Sequence, residues 1–314
     1  MRGSFQQEVP ELPEAATSFD ELEDRIDELP GDAKLLVVED GEELLSVGSG
    51  DPTGVGSVFK LWVLLALVEA VEEGDTSWDE TLELGQEHMS LPSGELQLEE
   101  PGFEISVRDA SQAMIEKSDN TATDLLIRHV GRDAVEEAID ASGHHQPELM
   151  RPLMTTREVF QLRWEHEALG QEYTESDEDR QYAILEELAQ KPFELAPEEV
   201  EVDDGAARGL EWFATPGDVA AVYQELESLS GDHHQLREIL GANPAVVADR
   251  PWWDDLAFKG GSSPGVLAAS WHAVSDDGTS RTVVLQVSGE PEMVHEAELE
   301  YWSLAEGPLT LDAP

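Results

Sequence analysis

The sequence has no cysteine, so disulfides, thiolate nucleophiles and cysteine-ligated metals are all excluded, and cysteine usage says nothing about redox compartment. Basic side chains are scarce. Lysine and arginine number 18 against 70 aspartates and glutamates, a formal charge of −52. Nucleic acid and anionic membranes need basic patches, and neither is an expected partner. Long apolar runs are missing too: the longest, 61–71, is interrupted by Glu69 and falls short of the ~20 residues that cross a bilayer. The opening MRGSFQQEVPELPEAA has no apolar h-region of a secretory signal. The expectation is a cytoplasmic chain, or a secreted one if MRGS is vector-derived and a native leader was removed.

What is present suffices for a folded protein. A length of 314 residues can bury a sizeable core, and 40% hydrophobic residues with eight tryptophans argue against disorder. The acids are spread along the whole chain rather than gathered in a tail. At molar salt the Debye length shrinks to roughly 3 Å and most of their mutual repulsion disappears. The acidity is therefore read as adaptation to high salt.

Residues 1–18, rich in Pro and Glu, are expected to form a loose arm. Phe19, Leu22, Ile26 and Leu29 recur at helical spacing, and Pro30-Gly31 closes that helix. Strands are expected at 34–39 and 43–47 around the hairpin signal Asp40-Gly41, followed by the most apolar helix, 57–71. The stretch from Trp78 to Glu238 reads as mainly helical, at 107–117, 121–130, 133–141, 156–167, 177–189 and 216–229, with an acidic loop at 197–205. Strands return at 255–259, 266–275 and 282–288, and a closing helix, 292–304, presents Val294, Leu299 and Trp302. This order predicts an α+β fold: one antiparallel sheet of about five strands built from both ends of the chain, with a helical lobe inserted. The arm apart, 19–314 is expected to form a single catalytic domain, its sheet lobe 19–56 with 250–306 and its helical lobe about 57–249.

Ser57-Val58-Phe59-Lys60 opens the apolar helix and sets an ammonium beside a hydroxyl one turn away. A lysine buried there tends to lose its proton and becomes a base for the serine. The chain has only five lysines, and one placed at the head of its most apolar helix needs a reason other than solubility. Ser118-Asp119-Asn120 lies at a helix–helix junction, where short polar residues commonly cap; read functionally, Ser118 relays a proton and Asn120 bonds a substrate amide or carbonyl. Lys259-Gly260-Gly261-Ser262 ends a strand, as a β-bulge or as an edge where substrate lies beside a positive Lys259. The pairs His144-His145 and His233-His234 lack the i, i+4 spacing of a zinc motif, and no metal or cofactor is expected.

S-x-x-K, S-D-N and K-[T/G]-G in this order resemble the serine β-lactamase and penicillin-binding-protein family. Ser57 and Ser118 stand 61 residues apart, a separation similar to class A β-lactamases. GSVFKLWVLLALVEAV, LPSGELQ, SDNTATDLLI and MTTREVFQL extend the likeness. FATPGDV and FKGGSSPGVL resemble β-lactamase-like hydrolases of clavam biosynthesis, a cephalosporin esterase among them.

The resemblance implies a β-lactamase/transpeptidase fold and a serine hydrolase acting through an acyl-enzyme on a small lactam, ester or amide. Catalysis would fall to Ser57, Lys60 and Ser118, and substrate binding to Asn120, Lys259, Gly260, Gly261 and Ser262. The backbone N–H groups of Ser57 and Ser262 would form the oxyanion hole. The chain is expected to be a monomer. Two departures stand out. Gly260 occupies the place of a hydroxyl that helps hold the substrate carboxylate, which leaves that task to Ser262 or Ser263, or to no residue if the substrate has no carboxylate. In Gln146-Pro147-Glu148-Leu149-Met150, Gln146 stands where the deacylating glutamate belongs, and Glu148 is the candidate substitute. The rival activities are an esterase or D,D-peptidase with little lactamase activity, and a covalent β-lactam sensor that does not turn over.

Overall fold

The computed structural model describes residues 13–48, 50–231, 233–243, 252–305, 307–311 and 313. Most of the expected loose arm, residues 1–12 with MRGS, lies outside them. Helix Phe19–Asp27 starts where the Ser18 side chain accepts from the Glu21 N–H, and it buries Leu22 and Ile26. Strands β1 (Asp32–Glu39) and β2 (Glu42–Val47) follow, joined at Asp40 and Gly41, both at positive φ as a tight hairpin requires. Near the other end of the chain come β3 (Asp255–Ser263), β4 (Val266–Val274) and β5 (Ser280–Ser288). The five form one antiparallel sheet in the order β2-β1-β5-β4-β3, the sheet built from both ends of the chain.

Alternation along β5 gives this sheet two buried faces. Val283, Leu285 and Val287 meet Leu22, Ile26, Val294 and Tyr301 on one side. Val284, with Ala268 and Ala257, meets the helical core on the other. At the centre of that core lies helix Lys60–Glu73, every residue of which is buried from Lys60 to Val68. A helix apolar all round has to be enclosed, and each large side chain so covered contributes roughly 1.5–3 kcal/mol. Helices Val107–Glu116, Asn120–Val130, Arg132–Ala141 and Pro216–Ser230 surround it.

Four expectations about elements are corrected. The helix expected at 156–167 stops at Phe160 and passes through a π turn, Gln161–Glu165, before helix Glu167–Glu175. A short helix, His234–Leu240, follows Pro216–Ser230. Strand β3 runs through the glycines to Ser263 with no bulge, because each residue is paired with β4 from Asp255↔Val274 to Ser263↔Val266. Ladder bonds outweigh the weak strand preference of glycine here. Finally, helix Pro291–Leu304 buries Val294, Ala297, Tyr301 and Leu304 while Leu299 is 45% exposed. The Tyr301 hydroxyl on that buried face donates to the Leu285 carbonyl at 3.0 Å. No helix among the described residues is long and apolar enough to cross a membrane.

Candidate active site

Ser57 lies in a 3₁₀ turn, Gly56–Phe59, and the α-helix proper starts at Lys60. In a 3₁₀ turn the side chains at i and i+3 eclipse, so the tighter turn stacks Ser57 over Lys60. Two backbone bonds hold it: Val58 N–H to the Val55 carbonyl at 3.2 Å, and Val55 N–H to the Trp212 carbonyl at 2.9 Å. The Trp212 ring stacks on Phe59 with centroids 3.9 Å apart.

The Lys60 amine is fully buried and donates to the Ser118 carbonyl at 2.6 Å, the Ser118 hydroxyl at 3.2 Å and Asn120 Oδ1 at 2.7 Å. Lys259 reaches the same hydroxyl from β3, at 2.9 Å, and also donates to the Gly260 carbonyl at 2.7 Å. Ser118 itself is at φ +53, which is uncommon for a residue with a Cβ. That conformation turns both its carbonyl and its hydroxyl toward the lysines. The Asp119 carboxylate caps the next helix by accepting from Ala122 N–H at 2.8 Å, and it also accepts from Glu95 and Leu96 N–H at 2.6 and 2.9 Å. Asn120 donates from its amide to the Leu91 carbonyl at 3.0 Å. Lys60 thus holds the oxygen of that amide and Leu91 one of its two N–H protons, and the second proton is the one for the expected substrate contact.

Strand β3 passes directly against the serine turn. A Cβ on Gly261 would lie 2.0 Å from the Val55 carbonyl oxygen and 2.6 Å from Ser57 N, and one on Gly56 would lie 2.6 Å from Ser262 N. Only glycine fits at either place, and the close approach brings the N–H groups of Ser57 and Ser262 together. Ser262 is exposed. Ser263 donates its hydroxyl to Glu211, so it is not free to replace the hydroxyl missing at Gly260.

Burial holds the Lys60 amine well below the ordinary lysine range, and Lys259 pushes the same way against the carboxylates of Asp124 and Asp119. Burial also brings Lys259 down to about 7. Asp124, buried beneath the site and accepting from Thr156 and Arg157 N–H, is raised to about 6 by the same loss of water. Lysines depressed in the folded state make an unfolded chain the better proton acceptor. Stability is therefore expected to fall as pH drops from 10.5 towards about 7, the window between the ordinary and the folded value of Lys259. If Lys60 is the base, the acylation rate should climb with pH along a limb centred well below 10.5. Stopped-flow acylation between pH 5 and pH 11 tests this; a limb that begins only above about pH 10, the ordinary lysine range, contradicts it.

Residues 18–233, more than half of the chain, match the sequence model of the Beta-lactamase enzyme family. The chain belongs to that family. A search of curated proteins returns no match. Among solved structures, a β-lactamase of Chitinophaga pinensis is 16% identical, covering 94% of this chain and 98% of its own, with a TM-score of 0.63. A β-lactamase of Sphaerobacter thermophilus is 19% identical over 94% and 95%, TM-score 0.61. PBP-A is 15% identical over 96% and 98%, also at 0.61. These likenesses carry the β-lactamase/transpeptidase fold.

Within this β-lactamase-family fold the segment around Gln146 makes no hydrogen bond or ion pair to either lysine of the motifs. It forms a 3₁₀ turn, Pro147–Met150, and Glu148 is exposed, lining a hollow of about 180 Å³ with Met150, Tyr173, Glu211, Trp212 and Phe213. None of the three motifs borders that hollow. His144 anchors the segment. Its Nε2 lies 3.0 Å from the Phe213 carbonyl, which can only accept, and its Nδ1 accepts from Gln146 N–H at 3.2 Å. Those partners require the neutral ring, in line with a pKa lowered by burial. His145 is exposed, and no cluster of three metal-ligating side chains occurs among the described residues.

The sequence reading missed Glu211, buried beside the serine turn. No local pattern marks it, because its partners lie far away along the chain.

Proposed function

We propose that this protein is a serine hydrolase that forms an acyl-enzyme at Ser57 with a β-lactam or a related ester or amide. One observation carries the reading: two buried lysines from separate motifs converge on the hydroxyl of Ser118, from the third. Ser57 Oγ attacks the carbonyl carbon and gives its proton to Lys60 Nζ. The oxyanion is met by the N–H groups of Ser57 and Ser262. Neutral Lys60 has only two protons for its three oxygen contacts, so the longest, to Ser118 Oγ at 3.2 Å, is the one that reverses. Ser118 Oγ then passes its proton to the departing nitrogen or oxygen and takes one back from the Lys60 ammonium, so that the leaving group gains the proton lost by Ser57 and Lys60 is neutral again. Mass spectrometry over time with a penicillin, and separately with an activated ester, tests the proposal. A mass increase on neither would overturn it.

The exposed Glu148 and the non-ionising Gln146 favour a second feature, slow release of bulky acyl groups. Penicillin is expected to leave a detectable acyl-enzyme, whereas small esters turn over faster because water can approach with Lys60 as base. Glu148→Gln should alter penicillin deacylation by less than about twofold, a fraction of the ~10²-fold or more that loss of a general base brings. Rapid penicillin turnover abolished by that substitution would show instead that Glu148 is the deacylation base and the chain an efficient β-lactamase. One solved relative in fold, the L158E mutant of PBP-A, was captured as an acyl-enzyme with penicillin G.

A further inference from the structure

Glu211 belongs to none of the three motifs, yet its side chain is 1% exposed and lies against the catalytic turn. Gly54 is so close that a Cβ there would come within 3.0 Å of Glu211 Cγ. One carboxylate oxygen, Oε1, accepts from Trp212 N–H at 3.0 Å, and the Gly56 N–H, immediately before the nucleophile, favours the charged carboxylate. The other oxygen takes the hydroxyl of Ser263, immediately after the second residue expected to line the oxyanion hole. Arg163, itself 1% exposed, approaches that oxygen at 3.7 Å and is held by Asp203. A single carboxylate thus ties Gly56 to Ser263 across the gap between the serine turn and the end of β3.

A buried carboxylate is costly unless paired, and the Ser263 hydroxyl and Arg163 partners offset that cost in part, burial still raising the Glu211 pKa. Their placement has a consequence for chemistry. The N–H groups of Ser57 and Ser262 sit on two separate pieces of chain that meet at the Gly56–Gly261 contact. We infer that Glu211 is a positioning residue which, through Gly56 on one side and Ser263 on the other, fixes the spacing of the two oxyanion-hole N–H groups. The inference rests on the assignment of Ser57 as nucleophile.

A widened hole should slow bond formation while leaving ground-state binding alone, because its donors bond best to the charge that develops in the transition state. Glu211→Ala and Ser263→Ala are therefore expected to lower the limiting acylation rate constant by about 10- to 100-fold with the noncovalent dissociation constant within about twofold. Ser263→Thr, which keeps the hydroxyl, should stay near wild type. Rates are read by penicillin acylation on the full chain, well below each variant's melting temperature. A residue that only stabilised the fold would lower the melting point and leave the rate constant of the folded enzyme unchanged. Wild-type rates in Glu211→Ala, or in Ser263→Ala should the first variant not fold, would overturn the inference. If the wild type itself takes no acyl group, the nucleophile assignment fails, and this inference fails with it.

Discussion

Ser57→Ala is expected to take no covalent label from a fluorophosphonate or a penicillin under conditions in which the wild type labels fully. Labelling needs an oxygen that can be deprotonated next to donors for the charge it creates. Ser57 combines a 3₁₀ turn that eclipses it with Lys60, a depressed lysine pKa and a glycine contact that draws Ser262 N alongside. Ser118 is the competing hydroxyl, since it touches both amines. It lacks the second feature, because β3 closes on the Val55–Ser57 turn and not on the junction that holds Ser118. Loss of the nucleophile removes the covalent step altogether, so intact-protein mass spectrometry should show no adduct. An undiminished adduct on Ser57→Ala would transfer the role to another residue, Ser118 first. Lys60→Met should be nearly as severe, slowing acylation by about 10²–10⁴-fold, as expected when a general base is lost.

The second large effect concerns salt. With a formal charge of −52, carboxylates repel one another in the folded state more than in an expanded chain. Raising KCl from about 0.1 M to about 3 M shortens the screening length from ~10 Å to below ~3 Å. The melting temperature is expected to rise by on the order of 10 °C or more, given a few degrees per kcal/mol for a chain of this size. A circular-dichroism melt at the two salt concentrations is sufficient. An unmoved midpoint would show that the acidity has another cause.

The lysines show why part of the site was legible. Three of the five, Lys34, Lys60 and Lys259, are buried, so in this composition a lysine retained in an apolar stretch does have an internal task. The task need not be catalytic: Lys34, on the inner strand β1, bonds the Asp51 carbonyl and pairs with Asp32. Ser57 and Lys60 could be read from their spacing, whereas Ser118 and Lys259, which the fold brings in from 58 residues beyond Lys60 and 141 residues beyond Ser118, were legible only through the order of the family's motifs. Asn120 was found but not its partners, since Leu91 lies 29 residues away in a loop with no pattern. Glu211 was invisible for the same reason, its hydroxyl partner being 52 residues on. Strand alternation located the sheet but not the end of β3, where pairing with β4 decides and glycine composition misleads. The closing helix was placed well, but of the three apolar residues named on it Leu299 is exposed, because Val294, Ala297, Tyr301 and Leu304 form the buried face.

The sheet order has a consequence for how the enzyme comes into being. Strand β1 is paired with β5, and the serine turn leans on β3, so elements made first wait for elements made last. Roughly 200 residues separate Ser57 from Lys259, which at about 5–20 residues per second means ten to forty seconds of synthesis. During that interval Ser57, with its own N–H, and Lys60 already exist while the Ser262 N–H and the Lys259 amine do not. On the proposed chemistry, a growing chain is expected to be silent toward acylating compounds until the last strands close the sheet.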